Sequence, residues 1–89
     1  MKLNVKLLPP YVKRGEQDQY TLQLDVQSID LQQLAYYMAR EWKVKLSYEI
    51  LDKNKILTAE FMVNGKHVSV ETVLKDGDSV TVIPYICGG

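Results

Sequence analysis

Only one stretch of this sequence has the spacing of an amphipathic helix, and segments that alternate in polarity like strands lie on both sides of it. Apolar residues recur along this stretch as on one face of a helix: Leu31, Leu34, Ala35, Met38, Ala39 and Trp42. A lone helix cannot bury its own apolar face, so it must pack on a sheet. With 89 residues, the chain is long enough for one small domain with one core. We therefore predict an α+β fold in which a mixed sheet packs on one main helix.

Two strands are predicted before the helix. The first has three apolar residues on one face: Leu3, Val5 and Leu7. The second has four: Tyr20, Leu22, Leu24 and Val26. Pro9-Pro10 ends the first strand because proline cannot donate to a strand ladder. Residues 11–19 form a polar loop, so the two strands are expected to pair as an antiparallel hairpin.

The helix is expected to begin at Ser28, whose hydroxyl can accept a hydrogen bond from a free N–H of the first turn. Asp30 would lie near the positive end of the helix dipole. The segment after the helix has two interpretations. Residues 44–50 alternate like a strand and residues 52–55 resemble a turn, but an irregular crossover fits equally well.

The last third of the sequence predicts a second hairpin and a final strand. Asn64-Gly65 suits a type I′ turn, in which both central residues have positive φ. Phe61 precedes this turn and should face the core, as should Val63. The final strand, residues 79–83, stops at Pro84 and must pair beside the first strand if its apolar face is to be buried. Its inward residues are predicted to be Val80 and Val82.

Composition bears on several function classes. Eleven basic and eleven acidic residues give a formal net charge of zero, which disfavours a nucleic-acid partner. One Cys and one His cannot form an internal disulfide or supply a structural zinc site, so we expect no metal. The sequence has no apolar run typical of a signal peptide or a membrane span. We therefore expect a cytoplasmic protein that does not bind membranes.

The chain ends in Gly88-Gly89, a pair that adds nothing to packing and is costly to order. Such a terminus is useful if its carboxylate must pass through a narrow channel into another protein. Five extended residues reach about 16–18 Å. We therefore divide the chain into a folded domain, residues 1–84, and an extended tail, residues 85–89.

Three segments together resemble the MoaD/ThiS family of ubiquitin-like sulfur carriers, which have the β-grasp fold. They are residues 62–66 (MVNGK), residues 72–84 (TVLKDGDSVTVIP) and Gly88-Gly89. The resemblance covers the order of elements along the whole chain and is most specific in the last third. The length of the chain and its Ile83-Pro84 pair make it more similar to the small subunit of molybdopterin synthase than to the shorter carrier of the thiamine pathway.

The resemblance implies a carrier rather than an enzyme. A partner adenylating enzyme, similar to ubiquitin-activating enzymes, would use ATP to activate the carboxylate of Gly89, which then becomes a thiocarboxylate. The carrier itself would bind no cofactor. Four tail residues would enter the partner's active site: Tyr85, Ile86, Cys87 and Gly88. The sulfur acceptor would be the large subunit of molybdopterin synthase or an equivalent enzyme of molybdenum cofactor biosynthesis.

Other functions remain open at this level. The protein could supply sulfur to thiamine or another product, be joined to proteins as ubiquitin is, or act as a β-grasp interaction module without activation. Alternation places Thr81 and Ile83 on the outer face of the sheet, with Met62 on a nearby strand. We predict that these three residues form a docking patch for the adenylating enzyme at the base of the tail.

Overall fold

The computed structural model describes residues 1–84, which contain seven strands and one helix. In chain order the elements are β1 (Lys2–Leu7), β2 (Gln19–Gln23), β3 (Ile29–Asp30), α1 (Leu31–Glu41), β4 (Ala59–Val63), β5 (Lys66–Val68), β6 (Val73–Leu74) and β7 (Ser79–Pro84). No helix in this part of the chain is long and apolar enough to cross a membrane.

Five strands form one mixed sheet in the order β2-β1-β7-β4-β5. β7 lies at its centre, parallel to β1 and antiparallel to β4. The predicted pairing of the final strand beside the first is therefore confirmed, as is the β1–β2 hairpin. A separate two-stranded sheet, β3 with β6, lies where the chain enters α1.

The apolar faces of α1 and the sheet belong to one continuous core. The helix contributes four fully buried side chains: Leu31, Leu34, Ala35 and Met38. The three central strands contribute six more: Leu3, Val5, Leu7, Phe61, Val80 and Val82. Burying one Leu, Val or Phe side chain contributes roughly 1.5–3 kcal/mol, so this core is the main source of stability.

The start of the helix differs from the prediction. Asp30, not Ser28, is the N-cap, and it forms a capping box with Gln33. The Gln33 N–H donates to Asp30 Oδ1 at 2.7 Å, and the Asp30 N–H donates to Gln33 Oε1 at 3.0 Å. Ser28 lies too early because Ile29 and Asp30 pair with β6 before the helix begins. At the other end Trp42 is the C-cap and is buried.

The Asn64-Gly65 turn has the predicted geometry, with φ of 52° at Asn64 and 83° at Gly65. The Asn64 side chain also joins this turn to the start of β7. Its Nδ2 donates to Asp78 Oδ1 at 2.9 Å, and its Oδ1 accepts from the Ser79 N–H at 2.9 Å. One side chain therefore fixes the β4–β5 hairpin against the central strand.

Two predictions about apolar positions were wrong. The segment 11–19 was expected to be a polar loop, but Tyr11 and Val12 are buried in the core. Val26 was expected to face the core but is exposed. It lies beyond the end of β2 at Gln23, so its side chain is no longer directed to one face of the sheet by strand geometry. Val44, which alternation would place in a strand, is almost fully exposed at 99%.

The segment after the helix is the irregular crossover that the sequence left open. Its only β feature within the described chain is an isolated bridge between Leu51 and Leu57. Tyr11 anchors this segment: its carbonyl accepts from the Ser47 N–H at 2.9 Å, and its hydroxyl lies 3.0 Å from Thr58 Oγ1.

The direction of the Tyr11–Thr58 hydrogen bond follows from the Thr58 hydroxyl, which has a single proton. That proton is directed to the carbonyls of Glu49 and Ile50, at 2.5 and 3.1 Å. Tyr11 must therefore donate to Thr58. Burial, the largest cause, raises the pKa of the Tyr11 phenol above its ordinary value of 10.0, and the nearby Tyr48 adds to the rise.

The capping assignment predicts unequal effects of two alanine substitutions. Asp30→Ala should lower the free energy of unfolding by about 1 kcal/mol, because it removes the acceptor for the Gln33 N–H. Ser28→Ala, at an exposed position before β3, should change it little. Urea denaturation of both variants measures the difference. Equal losses would contradict Asp30 as the sole cap.

The raised pKa of Tyr11 predicts a loss of stability at high pH. In the unfolded chain Tyr11 ionises near its ordinary pKa of 10.0, whereas the folded protein keeps this proton to higher pH. The stabilisation is thus fully present below that value and is lost as pH rises through the folded pKa. Melting temperature should fall less steeply above about pH 10 in Tyr11→Phe than in the wild type.

The comparison needs a control for removing a tyrosine hydroxyl, and Tyr36→Phe, at an exposed position, provides it. Tyr11→Phe should also lower stability at neutral pH by about 1 kcal/mol, because the hydrogen bond to Thr58 is lost. Parallel pH profiles for the wild type and Tyr11→Phe would show that burial does not hold the phenol proton.

Candidate functional site

The candidate site lies where β7 ends. Pro84 is the last residue of this strand and pairs with Ala59 at the start of β4. β1 pairs with β7 as far as Val82, and β4 pairs with it through Pro84, so β4 holds the point from which the tail departs. The predicted tail residues lie outside the described residues, and their roles stay predictions: Tyr85, Ile86, Cys87, Gly88 and Gly89.

The structure places the predicted patch residues side by side on the outer face of the sheet. Val80 and Val82 are buried on the inner face, so Thr81 and Ile83 point outward, as predicted. Met62 of β4 is the register partner of Thr81.

Ile83 is the next outward residue of β7 and lies diagonally from Met62, within reach of a shared partner surface. All three patch residues, Met62, Thr81 and Ile83, are half-buried. Their role in docking stays a prediction.

Two features beside the patch were missed in the sequence. Leu8 donates its N–H to the Val82 carbonyl at 3.1 Å, and one further step of the β1–β7 register places it beside Ile83. It is also half-buried. Its signal was present: Leu8 is an apolar residue at a position where β1 otherwise has polar ones.

The second missed feature is a polar contact between two side chains that borders the patch. His67 Nε2 lies 2.8 Å from Glu60 Oε2, and His67 is the register partner of Met62 while Glu60 is that of Ile83. This pair is partly exposed. His67 is thus a polar residue whose side chain contacts a neighbouring strand. Residues 1–84 contain no group of three or more side chains suited to hold a metal ion.

On the opposite flank the register partner of Thr81 is Lys6 of β1, which is exposed. The outer face at the end of β7 therefore has a partly apolar centre, with the Lys6 cation on one side and the hydrogen-bonded His67 and Glu60 side chains on the other. Such a surface can lose water against an apolar partner patch while its rim makes polar contacts.

The five-stranded mixed sheet with one helix defines the ubiquitin-like β-grasp class, and solved structures share it. SAMP1 from Haloferax volcanii has a TM-score of 0.73 at 13% identity, with 100% of both chains covered. A protein assigned as subunit 1 of molybdopterin converting factor from Pyrococcus furiosus has a TM-score of 0.66 at 26% identity, covering 96% of this chain and 98% of that one.

A third structure is the complex of subunits 1 and 2 of molybdopterin-converting factor from Helicobacter pylori. One of its chains matches with a TM-score of 0.59 at 20% identity, covering 100% of both chains. These likenesses confirm the predicted β-grasp fold.

The sequence model of the ThiS family matches residues 16–89, most of the chain. The chain belongs to the ThiS family of ubiquitin-like sulfur carriers, which confirms the family resemblance noted in the sequence. No curated protein matches it.

Proposed function

We propose that this protein carries sulfur as a thiocarboxylate on Gly89 and donates it in the biosynthesis of a molybdopterin-type cofactor. The main support for the proposal is the ThiS-family match, which covers residues 16–89 and so includes Gly88 and Gly89. ThiS-family proteins are small carriers, so the catalytic groups would belong to partner enzymes and the cycle would take place in the cytoplasm. The carrier needs a tail that another protein can hold and a fold that presents it.

The chemistry has two steps, both at the Gly89 carbonyl. A carboxylate oxygen attacks the α-phosphorus of ATP, and pyrophosphate leaves. A sulfur nucleophile at the oxidation level of sulfide, supplied by the partner, then attacks the carbonyl carbon, and AMP leaves. The first step is needed because a free carboxylate is a poor electrophile. The second stores sulfur covalently, so that no free sulfide has to diffuse between enzymes.

The fold supports this proposal by fixing the origin of the tail. Pro84 lies on a central strand, and only five residues separate the folded domain from the end of Gly89. A tail of that length reaches about 16–18 Å when extended. The partner must therefore bind close to the end of β7, where Met62, Thr81 and Ile83 lie.

The molybdopterin destination is supported by the Pyrococcus furiosus relative, which aligns over nearly the whole chain at 26% identity. By analogy with the Helicobacter pylori complex, the sulfur acceptor would be a second subunit of a molybdopterin-converting factor. The adenylating enzyme would bind the same end of the sheet at a different stage of the cycle.

Deletion of Gly89 should abolish activation. With the adenylating enzyme of the same organism, the full-length protein should support ATP–pyrophosphate exchange, whereas the protein without Gly89 should give only the background rate. Intact-mass analysis of the protein from its native cells then separates the functions. A thiocarboxylate replaces one oxygen by sulfur, and an isopeptide conjugate adds the mass of a target protein.

Equal exchange by both forms would reject activation at Gly89. Exchange that depends on Gly89, with conjugates and no thiocarboxylate in cells, would instead favour a protein modifier. Thiocarboxylate that a molybdopterin-synthase large subunit cannot accept would favour another sulfur pathway.

Ile83→Asp should weaken binding to the adenylating enzyme while the fold is retained. Ile83 lies half-buried on the outer face, so the new carboxylate can stay hydrated in the free protein and must lose water only at the interface. Isothermal titration calorimetry measures the affinity. Ser79→Asp is the matched control, because Ser79 is exposed on the same face of β7 at the end far from the tail. Equal affinity of Ile83→Asp and the wild type would reject the patch.

A further inference from the structure

Exposed apolar side chains are concentrated on one part of the described chain. Six large ones are exposed: Val26, Tyr36, Val44, Tyr48, Ile56 and Val73. Four of the six lie between Tyr36 and Ile56, on the second half of α1 and on the crossover after it. Scattered single exposures are ordinary, whereas exposed apolar residues that share one surface mark a binding site, and two of the four, Tyr36 and Tyr48, line the same groove.

A groove runs between α1 and the crossover in this region. Ala39 and Ile50 lie in its lining, and their small or buried side chains leave space between the two elements. Tyr36 lines it from the helix, 40% exposed, and Tyr48 lines it from the crossover, 53% exposed. The aromatic rings therefore offer apolar area to a molecule lying between them.

The charges around the groove are unbalanced. Four cations line it: Arg40, Lys43, Lys53 and Lys55. Two carboxylates, Glu49 and Asp52, also line it, and Arg40 pairs with Glu41 at 3.3 Å, which leaves three lysines against two carboxylates in a chain whose formal net charge is zero. The three lysines make no ion pair with any residue in 1–84.

The turn that carries two of these lysines is held by hydrogen bonds. Asp52 Oδ1 accepts from the N–H groups of Asn54 and Ile56 at 2.8 and 3.0 Å. The Lys55 N–H donates to the Asp52 carbonyl at 2.9 Å. Lys53 and Lys55 are thus presented from a fixed backbone, which lowers the entropic cost of binding a charged ligand there.

We propose that this groove binds an acidic segment of a partner protein, one in which Asp or Glu side chains alternate with apolar ones. The cations pair with its carboxylates, and Tyr36 and Tyr48 cover its apolar side chains. A polyphosphate chain fits less well, because it has no apolar side chains to cover the exposed rings of Tyr36 and Tyr48. The site goes beyond sulfur transfer, since it requires nothing of Gly89.

The groove and the patch at the end of β7 lie on different sides of the protein. α1 covers the inner face of the sheet, whereas Met62 and Ile83 lie on the outer face. The groove and the patch would therefore be approached from opposite faces of the sheet.

The test uses the full-length protein labelled with ¹⁵N and a panel of short synthetic peptides in which Asp or Glu alternates with Leu, Phe or Val. At least one peptide should shift the amide resonances of the groove residues saturably. Lys53→Glu/Lys55→Glu should weaken this binding by about tenfold at low salt, because each lost pair is replaced by a repulsion. Far-UV circular dichroism shows that the variant is folded.

The matched control is Lys13→Glu/Arg14→Glu, which makes the same change of charge at exposed residues outside the groove. Its affinity should equal that of the wild type. An equal loss in this control, equal binding of peptides that carry Lys in place of Asp and Glu, or no saturable shifts with any peptide would overturn the proposal. Tighter binding of single-stranded oligothymidine in the groove would also overturn it, in favour of a nucleic-acid site.

ATP–pyrophosphate exchange separates this proposal from the sulfur-carrier function. Lys53→Glu/Lys55→Glu should support exchange at the wild-type rate even where peptide binding is lost. A parallel loss of exchange would show that the groove belongs to the adenylating enzyme and would overturn an independent site.

Discussion

The burial of β7 between β1 and β4 is the constraint on which the rest of the structure depends. Val80 and Val82 can leave water only if the strand has a neighbour on each side and the helix above it. The same arrangement turns Thr81 and Ile83 outward and places the origin of the tail at the end of the central strand. Stability and the presentation of the tail therefore arise from one strand.

The elements with strong periodicity could be predicted from the sequence. In β1, α1 and β7 the apolar residues are spaced so that they share one face in only one type of secondary structure. The Asn64-Gly65 turn needs positive φ at both residues, which few residue pairs tolerate. The outer positions of Met62 and Ile83 followed, because alternation fixes both faces at once. The neighbours of the patch could not be predicted, since Leu8 follows β1, Glu60 lies in β4 and His67 in β5, and the register of these strands is set by the tertiary structure.

Where prediction failed, a tertiary contact outweighed the local pattern. Tyr11 lies in a polar segment, yet its ring is buried and its hydroxyl donates to Thr58, 47 residues away. Nothing local distinguishes it from an exposed loop tyrosine. Ser28 and Asp30 are both good caps, and the choice between them depends on β3 pairing with β6, more than 40 residues further along. Val44 is likewise exposed because the crossover after α1 is irregular, so the alternation of its residues does not correspond to a strand.

The parallel pairing of β1 with β7 also determines when the sheet can form during synthesis of the chain. Asn4 pairs with Ser79, so β1 must wait until β7 has been synthesised before this part of the sheet can close. Contacts between residues so far apart in sequence form late and close slowly. A chain cut short before β7 would lack the centre of its sheet and would be open to proteolysis. The complete five-stranded sheet can therefore form only in a chain that extends through β7.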